Sequence, residues 1–252
     1  MSTRIMLGAW SLELLYNTLF KLELTSHSIA IAFTDDLIIL TRGESVVKAE
    51  SYMNLEMRKI LEWSKNNKLK FNENKSKVML VPQEKTRKKE IEIYLNNKIL
   101  TQVNSIEYLG IIFDSKLTFR DHINYAEEKC TKLVFLLSKL AKITWGLKHE
   151  VLKTIYTEGI LPLLLYGAPV WKNEMNKSCY KAKLIRIQRL INIKITKAYR
   201  TVSNEALCVI TRLIPINIKI EETWKYYEIT KEKELSMKGK WKLKTGTTQR
   251  NT

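Results

Sequence analysis

Ser28–Thr41 reads Ser-Ile-Ala-Ile-Ala-Phe-Thr-Asp-Asp-Leu-Ile-Ile-Leu-Thr, and this stretch decides the fold. In its first half, isoleucine and phenylalanine alternate with alanine, and an apolar run resumes at Leu37 after two acids. An alternating run, a polar break and a second apolar run together predict a β-hairpin whose arms are mostly buried. Asp35 and Asp36 would then lie at the tip of this hairpin.

The two adjacent acids have two interpretations. Carboxylates among so many apolar residues are costly unless a cation or hydrogen bonds satisfy them, which favours a cation site. Aspartate is also a common turn residue, so a plain polar turn explains the same pattern. These residues alone leave both interpretations open.

The charge of the chain points to a polyanionic partner. Its 252 residues carry a formal net charge of +17, which favours nucleic acid or an acidic membrane surface. With 8 glycines and 4 prolines it advertises no flexible linker, and no apolar run is as long as a transmembrane span. Three widely spaced cysteines, without a Cys-x-x-Cys pair, suit a reducing intracellular compartment and argue against a structural zinc module.

The first half of the chain is predicted to mix helices and strands. Hydrophobic spacing and turn residues predict the following elements: a helix over Leu12–Leu24, a helix capped by Ser45 and running to Asn66, short strands at Leu69–Phe71 and Val78–Val81, a hairpin turning at Asn96-Asn97, and a strand over Tyr108–Phe113 with Gly110 inside it. A glycine inside a strand indicates a bulge or a close backbone approach.

From Arg120 onward the spacing is helical. One helix follows Arg120, and a second covers Val151–Leu165 with Pro162 bending or ending it. The aromatic turn Tyr166–Trp171 is predicted to belong to the core.

Lys181–Arg200 has seven basic residues and no acid. At helical spacing its aliphatic residues share one narrow face, and a different face gathers Lys183, Arg186, Arg189, Lys194, Lys197 and Arg200. Phosphates would neutralise such a face, although a basic amphipathic helix also suits an acidic membrane. The tail, residues 231–252, is basic and is predicted to be disordered.

Several stretches, in this order, resemble the reverse transcriptase of insect non-LTR (LINE-type, jockey-like) retrotransposons. Phe33-Thr34-Asp35-Asp36 looks like the Tyr/Phe-Ala-Asp-Asp hairpin of that family. The other matching stretches are Trp63, Asn67–Asn72 and Lys75–Lys77, then Tyr108–Asp114, Leu117–Phe119 and His122-Ile123, and finally Leu165–Trp171, Gln188-Arg189 and Ala198–Ser203.

The resemblance implies an α+β fold. Residues 1–119 would form part of a polymerase palm, made of antiparallel strands and helices, and residues 120–230 an all-α thumb and post-thumb region. The implied chemistry is nucleotidyl transfer with two Mg²⁺ ions, for which Asp35 would be the main ligand and Asp36 its assistant. Lys75 would assist the incoming nucleotide.

The resemblance also implies the partners. Tyr108, Leu109 and Gly110 would belong to the primer grip, and the basic helices would hold an RNA template–DNA primer hybrid by its phosphates. Deoxynucleoside triphosphates would be substrates, no membrane is expected, and the location would be nuclear if the chain acts as part of a retrotransposon.

Departures from the family pattern limit the expected activity. The family's first catalytic aspartate and its fingers would precede Met1, and its Gln-Gly-Ser loop is unrecognisable in Ser2–Met6. We therefore expect this chain alone to be inactive or nearly so. Two other functions stay open: a non-catalytic, basic nucleic-acid-binding protein derived from a retrotransposon, and a basic helical protein at a membrane surface.

Overall fold

The computed structural model describes residues 17–34, 36–82, 90–140 and 148–246, without the side chains of 138–140 and 234–246. Contacts divide the chain into two compact units, one made of residues 1–106 and 114–117 and the other of residues 107–113 and 118–252. The described residues combine many helices with short strands, which confirms the predicted mixture of helices and strands. Asp35 and residues 12–16 of the predicted helix Leu12–Leu24 lie outside the described residues. Residues 17–19 are helical and a turn follows at 20–22, so that helix ends before Leu24.

The predicted hairpin is present. Strand β1, Ser28–Phe33, pairs antiparallel with strand β2, Asp36–Thr41, in a register that runs from Ser28 opposite Thr41 to Phe33 opposite Asp36. This register leaves a two-residue turn, of which Thr34 has a left-handed backbone with φ +51°. Tight hairpins favour positive φ in the turn, because the backbone twist of such a turn matches the twist of the two strands.

The prediction that both arms are mostly buried is wrong. Ile29 is 62% exposed, Phe33 57% and Leu40 53%. Alternate side chains of a strand point to opposite faces, so a helix packed on one face of a two-stranded sheet leaves the other uncovered. Leu37 and Ile39 lie on the packed face and join the core of the first unit.

Helix α1, Val46–Asn66, follows its prediction closely. Ser45 caps it, because the Ser45 hydroxyl accepts a hydrogen bond from the Lys48 backbone N–H at 3.2 Å. Met57, Ile60 and Trp63 are buried on one face. This face packs against the hairpin and the small strands that follow.

Four two-residue strands complete the first unit: β3, Lys77–Val78; β4, Tyr94–Leu95; β5, Lys98–Ile99; and β6, Thr101–Gln102. Strands β4 and β5 form the predicted hairpin at Asn96-Asn97, both with positive φ, and β3 pairs parallel with β6. The predicted strand at Leu69–Phe71 is absent, since the Leu69 backbone N–H bonds the Ser64 carbonyl at the end of α1. The strand predicted at Val78–Val81 likewise ends at Val78.

The predicted single strand over Tyr108–Phe113 is instead a hairpin. Strand β7, Ser105–Tyr108, turns at Leu109 and Gly110 into strand β8, Ile111–Asp114. Both turn residues have positive φ, +48° and +74°, as a type I′ turn requires. The apolar residues on either side of the glycine concealed this turn, because they read as one continuous run.

Helices form the rest of the second unit. They are α2, Arg120–Leu140; α3, His149–Ile155, continued by a π-helical turn, Tyr156–Ile160; α4, Leu161–Leu165; α5, Ala168–Trp171, with a 3₁₀ turn, Lys172–Asn176; α6, Ser178–Thr196; α7, Asn204–Thr211; and α8, Ile216–Gly246. Pro162 lies in the first turn of α4, directly after the π-helical turn. Within the described residues, none of these helices has the length and apolarity needed to cross a bilayer.

Three details of this unit differ from prediction. Helix α6 ends at Thr196 because Lys197 is left-handed, with φ +54°, so Arg200 and Lys197 lie beyond the helix. Helix α8 continues to Gly246 where disorder was predicted from residue 231, and lysines and glutamates in that stretch are good helix formers. Trp171 is buried as predicted, but Tyr166 is 51% exposed.

Candidate functional site

The first candidate site is the tip of the β1–β2 hairpin. Asp36 is exposed and is the first residue of β2, where it pairs with Phe33. Asp35 precedes it in the sequence and lies outside the described residues. Among the side chains that the structure does describe, no three His, Cys, Asp or Glu gather closely enough to hold a metal ion.

The base of the hairpin is held to α1 by a buried carboxylate. Glu56 is fully buried, and its Oε1 accepts a hydrogen bond from the Thr25 backbone N–H at 2.8 Å. Its Oε2 lies 3.4 Å from the Lys59 ammonium. The hydroxyls of Ser28 and Thr41 are 3.1 Å apart, which joins the two strands at their base. These contacts fix the stem that carries Asp36.

Lys75 lies in a tight polar turn of the same unit. The Asn72 side-chain oxygen accepts hydrogen bonds from the backbone N–H groups of Asn74 at 3.0 Å and Lys75 at 3.3 Å. The Lys75 side chain is exposed. Leu37, next to Asp36, and Phe71, just before the turn, pack in one hydrophobic cluster. The same core therefore supports the segments that carry Asp36 and Lys75.

The second candidate site is the β7–β8 turn, predicted as part of a nucleic-acid contact through Tyr108, Leu109 and Gly110. The Tyr166 hydroxyl donates to the Leu109 carbonyl at 2.6 Å. A Cβ added at Gly110 would lie 3.2 Å from the Tyr166 ring, so the predicted close approach is real although it occurs at a turn. Trp171 in turn donates from Nε1 to the Tyr166 carbonyl at 2.9 Å.

Tyr166 was missed as a site residue. The glycine at 110 was the available signal, because a close approach requires a partner side chain, but the sequence does not say which one.

His122 also supports this turn, and it too was missed. The imidazole is buried, and its Nδ1 accepts from the Ile112 backbone N–H at 3.4 Å. Burial lowers the pKa of His122 below 6.5, so the ring is neutral at pH 7. A neutral ring suits its role as an acceptor at the strand.

The predicted basic face divides into two groups. The Lys183 ammonium donates to Asn124 Oδ1 at 2.5 Å and lies 2.8 Å from Glu127, and Arg189 donates to the Arg200 carbonyl at 2.6 Å. Both side chains are half-buried, and their contacts stabilise the folded protein. Because their partners lie elsewhere in the sequence, the spacing of the basic residues could not predict these contacts. Lys194 is also half-buried, whereas the exposed members are Arg186, Lys197 and Arg200.

Comparison with known families gives a match over residues 9–113 to the family described as Reverse transcriptase (RNA-dependent DNA polymerase). The matched range includes the β1–β2 hairpin, α1 and the β7–β8 turn. No solved structure matches the chain.

Curated relatives are retrotransposon proteins. The chain is 30% identical over 224 residues to the Retrovirus-related Pol polyprotein from type-1 retrotransposable element R1 4 of Nasonia vitripennis, covering 82% of this chain and 56% of that protein. It is 28% identical over 187 residues to the Putative 115 kDa protein in type-1 retrotransposable element R1DM of Drosophila melanogaster, covering 74% of this chain and 18% of that protein. It is 26% identical over 174 residues to the RNA-directed DNA polymerase from mobile element jockey of the same fly, covering 65% and 18%.

The chain thus spans about half the length of its Nasonia relative and a smaller part of the two Drosophila proteins. The family match and the names of these relatives confirm the resemblance to insect non-LTR reverse transcriptases. Residues 9–113 thus form a reverse transcriptase family domain, and the relatives of the chain are proteins of insect non-LTR retrotransposons.

Proposed function

We propose that this chain is part of an RNA-directed DNA polymerase, in which the β1–β2 hairpin holds Mg²⁺ and the helices of the second unit hold an RNA–DNA hybrid. In this proposal residues 1–119 are part of the palm, residues 120–230 are the thumb and post-thumb region, and residues 231–252 are a basic tail. The observation that carries the proposal is the two-residue hairpin turn adjoining Asp36, inside the range that matches the reverse transcriptase family.

The described donor fits a magnesium site. Asp36 presents an exposed carboxylate beside a tight turn, and carboxylate oxygens are the hard ligands that Mg²⁺ prefers. Asp35 and Asp36 would hold the ion. When bound, Mg²⁺ supplies charge stabilisation at the phosphoryl oxygens during nucleotidyl transfer. The buried Glu56 contacts serve this chemistry by fixing the strands on which the carboxylates stand.

The exposed cations would bind the substrates. Lys75 stands on a fixed turn and would place its ammonium against the triphosphate of an incoming deoxynucleotide. Arg186, Lys197 and Arg200 would contact the phosphates of a template–primer hybrid, which gives affinity without reading sequence. Lys183, Arg189 and Lys194 would serve mainly to shape this surface, because they are half-buried.

The polypeptide of residues 1–252 is expected to extend primers weakly or not at all. The family that the chain resembles has a further catalytic aspartate and a fingers region, and no residues of this polypeptide match them. A site with fewer carboxylates has less charge with which to hold Mg²⁺.

Primer extension on an RNA template tests the proposal. Any extension by the unaltered chain, however weak, should require Mg²⁺ and should be lost in Asp35→Asn and reduced in Asp36→Asn. Glu62→Gln is the matched control, because Glu62 is an exposed acid on α1 of the same unit, and it should behave as the unaltered chain does. Template-directed extension that survives in Asp35→Asn would contradict the metal-binding role.

A second function, binding nucleic acid without catalysis, is favoured by the net charge of +17 and the exposed basic residues beyond α6. Tight, salt-dependent binding of hybrid, with no extension by any variant and no metal at the hairpin, would support it. Binding to acidic liposomes in place of hybrid would indicate a membrane surface instead, which we do not expect.

A further inference from the structure

A cavity of about 250 Å³ lies beside the β7–β8 turn, within the second unit. Three segments enclose it: the turn, one face of α2, and the end of α4 with the residue that follows it. The lining residues used below are Glu107, His122, Tyr125, Ala126, Lys129 and Tyr166.

The size of the cavity suits a small flat group. Pockets for drug-sized ligands measure about 300–1,000 Å³, so this cavity is smaller than a whole ligand of that kind needs. It can admit one heteroaromatic ring system while the rest of a larger molecule stays outside. Tyr125 is 43% exposed and contributes an aromatic side chain to the cavity lining, which also includes Tyr166.

The polar groups of the cavity suit a neutral ring that carries both donors and acceptors. Its charged groups are the Glu107 carboxylate and the Lys129 ammonium, which have opposite signs. His122 is neutral because burial lowers its pKa, and burial raises the pKa of the Cys130 thiol in the cavity wall to about 11. A metal cation or a free phosphate would therefore meet one matching and one opposing charge.

Lys129 is placed to bind a phosphate group that is attached to a ring in the cavity. Its ammonium lies 3.4 Å from the Tyr125 hydroxyl and 5.4 Å from the centre of the Tyr125 ring, on an exposed side chain. Because lysine is long and flexible, the ammonium can leave the tyrosine for a phosphate at the mouth of the cavity.

We propose that this cavity binds one unpaired nucleobase of a nucleic acid held at the β7–β8 turn. The base would stack against Tyr125, Glu107 would accept a hydrogen bond from an exocyclic amine, and Lys129 would bind the neighbouring phosphate. This inference rests on the proposed function, since it names what the turn at Tyr108–Gly110 binds. It adds recognition of a single base to contacts that otherwise involve only phosphates.

The test compares two fluorescently labelled single-stranded oligonucleotides of equal length, one with 2-aminopurine at its centre and one with an abasic site there. Stacking of a base on an aromatic side chain contributes about 1–3 kcal/mol, so the base-containing strand should bind the full chain about tenfold more tightly than the abasic strand. Binding should also quench the 2-aminopurine fluorescence.

Three variants locate the effect. Ala126→Leu fills the cavity and Tyr125→Ala removes its wall, and each should abolish the tenfold preference and the quenching while the abasic strand binds as before. Tyr125→Phe should retain both signals. Thermal unfolding of Ala126→Leu checks that the variant is folded, and the exposed Tyr125 site tolerates truncation without loss of core.

Tyr226→Ala is the matched control, since Tyr226 is an exposed tyrosine on α8 outside the cavity, and it should change neither signal. A base preference that persists in both Ala126→Leu and Tyr125→Ala, or equal binding of the two strands by the unaltered chain, would overturn the inference. Failure of the unaltered chain to bind either single strand at low salt would also overturn the inference, whereas failure to bind an RNA–DNA hybrid at low salt would contradict the proposed function itself.

Discussion

Gly110 shows how one residue sets the geometry of a candidate site. Its φ of +74° lies in the left-handed region, and the Tyr166 ring leaves no comfortable room for a Cβ. Tyr166 then holds the neighbouring Leu109 carbonyl. The conformation of the turn therefore depends both on the backbone freedom of Gly110 and on the contact with Tyr166.

Replacing this glycine should destabilise the second unit. We expect Gly110→Ala to lower the free energy of unfolding by about 1–2 kcal/mol, because an alanine in a left-handed conformation is strained and its methyl group would press on Tyr166. Urea unfolding followed by circular dichroism measures this change.

Gly159 provides the matched control. It lies in the π-helical turn of the same unit, and a Cβ there would meet no atom within 4 Å. Gly159→Ala should be neutral or stabilise by up to about 1 kcal/mol, since alanine restricts the unfolded chain. Equal loss of stability in the two variants would show that the turn at Gly110 imposes no special demand.

Helix α6 and the segment after it contain cations with two different roles. Lys183 forms an ion pair with Glu127 and a hydrogen bond with Asn124, whereas Arg186 is exposed on the same helix. A phosphate contact by an exposed cation releases a counterion from nucleic acid, but an ion pair within the protein does not.

Salt dependence of hybrid binding separates these roles. Arg186→Gln should reduce the slope of log affinity against log salt concentration by about 0.7–0.9, the value expected for one lost phosphate contact. Lys183→Gln should leave the slope unchanged and instead lower stability by about 1 kcal/mol, since it breaks a partly buried pair. Fluorescence anisotropy between 50 and 200 mM salt, roughly the range over which such slopes are read, measures the slope. An unchanged slope in Arg186→Gln would remove this residue from the proposed interface.

Elements with strong local signals were predictable from the sequence. The limits of α1 at Ser45 and Asn66 were predictable because a capping residue and a polar end are signals that span only a few residues. The two-residue turn at Asn96-Asn97 was predictable for the same reason. The exposed face of β1 was not predictable, because the alternating pattern marks two faces without saying which one is covered.

The candidate sites were predictable only in part. Family motifs identified Asp36 and Lys75, which the structure places on segments with a shared core. The partners of Lys183 and Leu109 come from distant parts of the chain, namely Glu127 and Tyr166, and no local pattern links such residues. The burial of a cationic side chain decides whether it can reach a ligand. Because burial depends on the packing of the whole unit, the local sequence does not predict it.

At the scale of the whole molecule, the charge of +17 and the division into two units are consistent with the two tasks of the proposed function. In our proposal the first unit carries the metal ligands and the second carries the surfaces that bind nucleic acid. The relatives are longer than this chain, so the complete reaction is expected to draw on residues beyond those that match here.

The central claim is that the β1–β2 hairpin holds the divalent ion of a polymerase. Metal-directed cleavage tests it most directly, because Fe²⁺ in place of Mg²⁺, supplied with hydrogen peroxide and ascorbate, generates hydroxyl radicals that cut the protein backbone beside the bound ion. With RNA–DNA hybrid present, the account predicts cuts within residues 28–41 that excess Mg²⁺ suppresses. These cuts should disappear in Asp35→Asn and persist in Glu62→Gln. Absence of cuts in this hairpin, or cuts that Asp35→Asn leaves unchanged, would contradict it.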